Sequence, residues 1–157
     1  MKQLKNIDSP INIVGVELRT SNDNGRAFEE IPPFWEKFYT NAVSDMISNK
    51  KSMDVFSLYT NFENQGKNNQ GMYSMIIGHE VESLEDLPSG FVGFTIPTSG
   101  YLVFPVEDGK VENVIKTWET IWNIPADDKK EWTFTCEFER YKSDGEIEVY
   151  IGTKVHE

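Results

Sequence analysis

The sequence is short of cysteine, histidine, cationic side chains and long apolar runs, and each shortage excludes something. A single cysteine, Cys136, leaves no partner for an internal disulfide and too few thiols for a cysteine-rich zinc site. The two histidines, His79 and His156, lie far apart and offer little to a histidine-based metal or nucleophile site, so neither a metal nor a cofactor is expected. Lys and Arg number 15 against 26 Asp and Glu, for a formal charge of −11. That balance argues against direct nucleic-acid binding, which needs clustered cations. No stretch approaches 18 uninterrupted apolar residues, and the opening MKQLKNIDSP has two lysines with no apolar segment behind them. Neither a membrane span nor a secretory signal is expected, and the chain reads as cytoplasmic.

What the sequence does contain is core material. Its 157 residues are 38% hydrophobic and include 10 Phe, 6 Tyr and 4 Trp. At this length a folded domain removes roughly 70% of its unfolded surface from water. One domain over residues 1–157 is expected.

Residues 11–18 (INIVGVEL) are rich in β-branched types and read as a strand. A polar turn at 20–26 follows, and then Phe28, Ile31, Trp35, Phe38, Ala42 and Met46 recur every three or four residues, which predicts one helix face. Pro32 and Pro33 fall near its beginning, where a helix tolerates them. Strands are expected at 54–62 and 71–81, flanking the turn-rich ENQGKNNQ. The same order then returns: extended segments at 91–96 and 101–105, a helix with the stripe Val111, Val114, Ile115, Trp118, Ile121 and Trp122, and strands at 133–141 and 146–153. The expected fold is α+β, with two β-α-β-β units in pseudo-two-fold arrangement sharing a curved sheet, and two main helices.

The last hairpin carries the sharpest pattern. Phe134, Cys136 and Phe138 alternate with Thr135, Glu137, Glu139 and Tyr141, and Ile147, Val149 and Ile151 alternate with Glu146, Glu148 and Tyr150. If residues 142–145 form the loop and the apolar sets share a face, Glu139 opposes Glu148 and Glu137 opposes Tyr150, while a bulge at Gly145 would shift this by two. Opposed glutamates repel and call for compensation. Water or Lys142 and Arg140 would supply it on a solvated face. A cationic ligand held against aromatic rings would supply it in a cleft.

The segments EWTFTCEFERY and EIEVYIG resemble the C-terminal signature of the GyrI-like (gyrase-inhibitor-like) small-molecule-binding domain, the effector-binding module of AraC-type and MerR-type multidrug regulators. IPTSGYLVFPVEDGKVENVIKTWETIWN and AFEEIPPFWEKF resemble further parts of that domain, so the similarity covers nearly the whole chain. It implies a hydrophobic, aromatic-lined cleft with a buried glutamate that recognises a hydrophobic, cationic small molecule. Glu139 matches that glutamate, and Tyr150 would be its aromatic companion. Trp35, Phe38, Tyr39, Tyr73, Phe104, Trp118 and Trp122 are the other candidate cleft residues, although aromatics at helical spacing also serve as core. Family regulators carry a helix-turn-helix part, for which a chain whose β-rich sequence starts at residue 11 leaves no room, so a stand-alone form is expected.

The resemblance leaves two other functions open. One is a hydrolase of electrophilic, DNA-alkylating natural products, with Glu139 as general base and Tyr141 or Tyr150 orienting the leaving group. The other is an interaction module that restrains a topoisomerase, which leaves a protein partner or a homodimer open. Cys136, between two phenylalanines, reads as core, and His79 and Glu80 point to opposite faces of a strand, which makes them a poor dyad.

Overall fold

A computed structural model of the chain describes residues 2–63, 71–85 and 87–154, with the backbone alone described at 134 and 135. Most of the expected ENQGKNNQ turn, the side chain of Phe134, and His156 lie outside the described residues. Eight strands form one antiparallel sheet: β1 (Gln3–Ile7), β2 (Ile11–Ser21), β3 (Val55–Thr60), β4 (Met72–Glu80), β5 (Val92–Ile96), β6 (Ser99–Pro105), β7 (Trp132–Tyr141) and β8 (Ile147–Thr153). Two main helices accompany them, α1 (Arg26–Thr40) and α3 (Val114–Trp122), and a single turn, α2 (Val43–Met46), follows α1.

The strand order is β1-β6-β8-β7-β3-β4-β2-β5. Read outward from the β7–β3 contact, β7-β8-β6 on one side mirrors β3-β4-β2 on the other, which is the anticipated pseudo-two-fold pair of β-α-β-β units. Each unit also owns one more strand and gives it away. β1 pairs with β6 and β5 pairs with β2, so each half completes the edge of the other. Three residues join β1 to β2 although they stand near opposite ends of the strand order, and the sheet must therefore curl. The facing glycines of β2 and β4 assist, since a β-carbon on Gly15 would stand 2.1 Å from the Ile77 carbonyl oxygen.

Both faces of the curled sheet are buried. Ile13, Phe56, Leu58, Tyr101, Phe138 and Tyr150 fill the inside of the curl. On the other face, α1 lays Ile31, Phe34, Trp35 and Phe38 against Val14, Met75 and Ile77, and α3 lays Trp118 and Ile121 against Phe104, Val149 and Ile151. Tyr59 packs into both helix clusters, which places β3 and β7 beneath the seam between α1 and α3.

Three expectations need correction. The stripe from Phe28 to Met46 is not one helix, because Ala42 takes a left-handed conformation (φ 50°) and ends α1; Phe28, 76% exposed, faces away from the core. Pro32 and Pro33 lie inside α1 rather than at its start. The hairpin register differs by one residue: Tyr141 pairs with Ile147, Arg140 with Glu148, Glu139 with Val149 and Phe138 with Tyr150. Lys142 N–H bonds the Glu146 carbonyl at 2.8 Å, and Gly145 sits at φ 94°, so the loop is the three residues 143–145 with glycine at the left-handed position. A one-residue slip exchanges faces, so Glu139 shares its face with Val149, while Tyr150 shares the opposite one with Phe138.

Candidate functional site

The β7 alternation puts Glu137, Glu139 and Tyr141 on the helix-bearing face, and the β3–β7 register sets Tyr59, Ser57 and Val55 directly across from them. Glu139 is 2% exposed and receives three hydrogen bonds. Tyr141 Oη donates to Oε1 at 2.5 Å, and Oε2 accepts Trp118 Nε1–H at 2.7 Å and Tyr59 Oη–H at 2.9 Å. The donors come from β7, β3 and α3, so the carboxyl ties both halves of the sheet to one helix.

Aromatic rings surround this carboxyl. Trp35 of α1 meets the edge of Tyr141 at 5.2 Å between centroids and stacks on Tyr39 at 6.1 Å. Tyr59 is edge-on to Trp118 at 5.5 Å and to Tyr73 at 6.0 Å, and Trp118 continues to Trp122 at 6.1 Å. Tyr39 is 64% exposed and Trp122 41%, so the ring system runs from the buried carboxyl to solvent on both helices.

Burial lifts the Glu139 carboxyl above the ordinary carboxylate range, opposed by the hydrogen bonds from Tyr141, Trp118 and Tyr59. Burial first, and then the charge of Glu139, push Tyr59 and Tyr141 well above the usual phenol value and Tyr73 to about 12. These hydroxyls stay protonated at neutral pH and act as donors. Glu137, partly buried, is raised to about 7 by burial against the opposing charge of Lys129. A carboxyl that loses hydration while facing π-systems is poised for a cation, whose charge restores ionisation and whose body meets the rings.

Of the residues anticipated, the fold gathers Glu139, Tyr141, Trp118, Trp35, Tyr39, Tyr73 and Trp122 around one seam. Phe38 and Phe104 are on the correct face but buried in the cores under α1 and α3. Tyr150 is a correction. It lies inside the curl, stacked on Phe138 at 4.4 Å with its hydroxyl on Glu148 at 2.9 Å, and it helps line a separate cavity of about 330 Å³ with Lys5, Lys51 and Arg140. It cannot accompany Glu139, because the hairpin register places the two on opposite faces. Sequence reading missed Tyr59 and Ser57. The available signal was a serine and a tyrosine two apart within the apolar strand VFSLYT.

Other titratable groups are accounted for by structure. His79 is fully buried, its Nδ1–H donates to the Asp54 carbonyl at 2.9 Å, and Nε2 therefore accepts from Ser44 Oγ at 2.7 Å. Cys136 is buried in the curl. Among the described residues no group of three or more His, Cys, Asp or Glu could hold a metal ion, and no helix is long and apolar enough to cross a membrane.

Comparison with known proteins bears on the family and the fold. The model of the family described as integron-associated effector binding protein, Cass2, matches residues 4–152. YobU of Bacillus subtilis (strain 168), described as a candidate transcriptional regulator, is 28% identical over 149 residues, covering 89% of this chain and 90% of YobU. An integron cassette protein from the mobile metagenome of Vibrio cholerae is 25% identical with a TM-score of 0.73, covering 98% of this chain and 95% of its own. SAV2435, whose structure was solved bound to tetraphenylphosphonium, shares the fold with a TM-score of 0.79 at 18% identity, over 98% of this chain and 94% of its own. With its C-terminal hairpin, its paired units and nearly all its length in agreement, the chain belongs to the integron-associated effector binding protein family, a GyrI-like effector-binding group.

Proposed function

We propose that the chain is an effector-binding protein that takes a hydrophobic, cationic small molecule into the seam between α1 and α3, with Glu139 as the counter-charge. The observation that carries this is a carboxyl 2% exposed, beneath two helices and ringed by tyrosine and tryptophan, in a family of effector-binding proteins. The tetraphenylphosphonium bound by SAV2435, a lipophilic cation on the same fold, supports that ligand class.

Trp118 covers Glu139 and donates to it, so a ligand reaches the carboxyl by displacing the indole, and binding is coupled to movement of α3. The exposed rings of Tyr39 and Trp122 offer the first contact for the apolar body. Hydrolysis with Glu139 as general base would use the same carboxyl, of which Tyr59, Trp118 and Tyr141 engage three of roughly four acceptor positions. Binding is the reading that the effector-binding family and the ligand-bound neighbour support.

A thermal-shift comparison of lipophilic cations, matched neutral analogues and anionic dyes tests it. A cation at a hundred times its dissociation constant should stabilise the native state by about 2.7 kcal/mol, with no shift from the neutral analogues and with the effect lost in Glu139→Gln. Equal shifts from all three classes, or an undiminished shift in the variant, would remove the proposal.

A further inference from the structure

The polar floor of the seam holds acceptors that no internal contact uses. Ser57 stands directly across from Glu139, so their β-carbons share one face at about 5 Å. Its side chain is 0% exposed, and among the described residues its Oγ has no hydrogen-bond partner. The Tyr59 hydroxyl lies near enough for Ser57 to act on it as a hydrogen-bonding neighbour and favour its ionised form, but no hydrogen bond of good geometry joins the two. The Tyr59 proton is committed to Glu139, so any approach between the two hydroxyls has Ser57 donating and leaves its lone pairs free. A buried hydroxyl without a partner is costly and calls for an explanation.

A second acceptor lies alongside. Glu137 precedes Glu139 by two residues on the same face, about 7 Å along the strand, and opposite Tyr59. Among the described residues nothing donates to it. Lys129, the cation acting on it, is held elsewhere, with Nζ on the Trp122 carbonyl at 3.1 Å and 5.4 Å from the Trp132 ring centre.

Building on the reading that Glu139 draws a cation, we infer that the seam is shaped for a cation bearing N–H groups, a protonated alkyl- or arylalkylamine, whose hydrogens are accepted by Ser57 Oγ and by the carboxylates of Glu139 and Glu137. A quaternary ammonium or phosphonium carries the charge but has no donor, so it leaves Ser57 unsatisfied. The proposal thus separates this chain's preferred ligand from permanently charged lipophilic cations, which bind through charge and ring contact alone.

The test uses one skeleton in two forms, 3,3-diphenylpropylamine and its N,N,N-trimethyl analogue, titrated calorimetrically into the full chain at about pH 8, where the amine stays protonated. A hydrogen bond from a charged donor corresponds to roughly 10- to 150-fold in affinity. The wild type should favour the primary amine by at least that factor. Ser57→Ala should abolish most of the preference by weakening the amine and leaving the quaternary analogue unchanged. The variant should also unfold at the same or higher urea concentration, because it removes an unpartnered hydroxyl rather than a contact, which guards against misreading a folding defect. Equal affinities in the wild type would overturn the proposal, and so would a preference that persists in Ser57→Ala, since steric exclusion of the methyl groups would then explain it. If neither compound binds and Glu139→Gln changes nothing, the underlying cation reading fails. If both bind equally and both need Glu139, only the N–H assignment fails.

Discussion

Trp118 of α3 and Glu139 of β7 are joined by an indole N–H to carboxylate hydrogen bond of 2.7 Å, which fastens the shorter helix to the centre of the sheet. Trp118→Phe keeps a ring against Tyr59 and Trp122 and deletes only the donor and part of the surface. A hydrogen bond contributes about 0.5–1.5 kcal/mol, or about 1.5–3 where its acceptor is ionised, so urea unfolding should lose about 0.5–3 kcal/mol of stability. A loss below about 0.3 kcal/mol would mean that the bond contributes nothing to holding α3.

The two glutamates of this face set a pH dependence opposite to ordinary acid denaturation. Glu137 is raised by burial to about 7 and Glu139 is raised by burial, both from an ordinary value of 4.5. A folded pKa above the unfolded one means the native state holds more protons in the interval, so stability falls as pH rises from about 4.5 towards 7. Glu137, partly buried, accounts for about 1–3 kcal/mol of that fall. Glu137→Gln should flatten this limb in urea titrations run at intervals across it. An unchanged slope would contradict the assignment.

Asp54 acts at the opposite extreme. Burial raises its carboxyl, but the Ser143 amide and Arg140 outweigh that and hold it below 3.8. Its Oδ2 accepts Arg140 Nε–H at 3.0 Å and lies 2.9 Å from the second guanidinium nitrogen, while Oδ1 takes the Ser143 amide at 2.9 Å. Stability from this group is present above its unfolded pKa and lost as pH falls through the folded one. Asp54→Ala strands a half-buried arginine and frees the hairpin tip, so a cost of about 2–4 kcal/mol is expected in denaturant unfolding. A cost within about 0.5 kcal/mol would show a surface-like pair.

Much of this architecture could be read from the sequence, and the misreadings have physical causes. The strand at 133–141 and the stripe around Trp118 follow from periods of two and about 3.6 that the fold preserves. The register of the final hairpin does not follow, because alternation tells faces apart only when one of them is wet. Here Phe138 and Val149 are both buried, on opposite sides of the same sheet, so pairing the apolar sets gave Glu139 the wrong neighbour and Tyr150 the wrong face. The edge strand β1 escaped notice because QLKNI is mostly exposed and has almost no apolar alternation. The burial of Glu139 was legible through its resemblance to a family motif. Ser57 and Tyr59 were not, because a register spanning some 80 residues is needed to bring them beside it.

The proposed role of Glu139 is tested most directly by calorimetric titration of tetraphenylphosphonium, whose charge does not vary with pH, into wild type and Glu139→Gln across about pH 4.5 to 8.5. The cation binds the ionised carboxyl, so wild-type affinity should rise by up to tenfold per pH unit through the elevated pKa of Glu139 and then level off. Glu139→Gln should bind at least about tenfold more weakly at the upper end, with the Glu139-dependent rise removed. Equal affinities for the two proteins, flat across the whole range, would contradict a role for Glu139 in cation recognition.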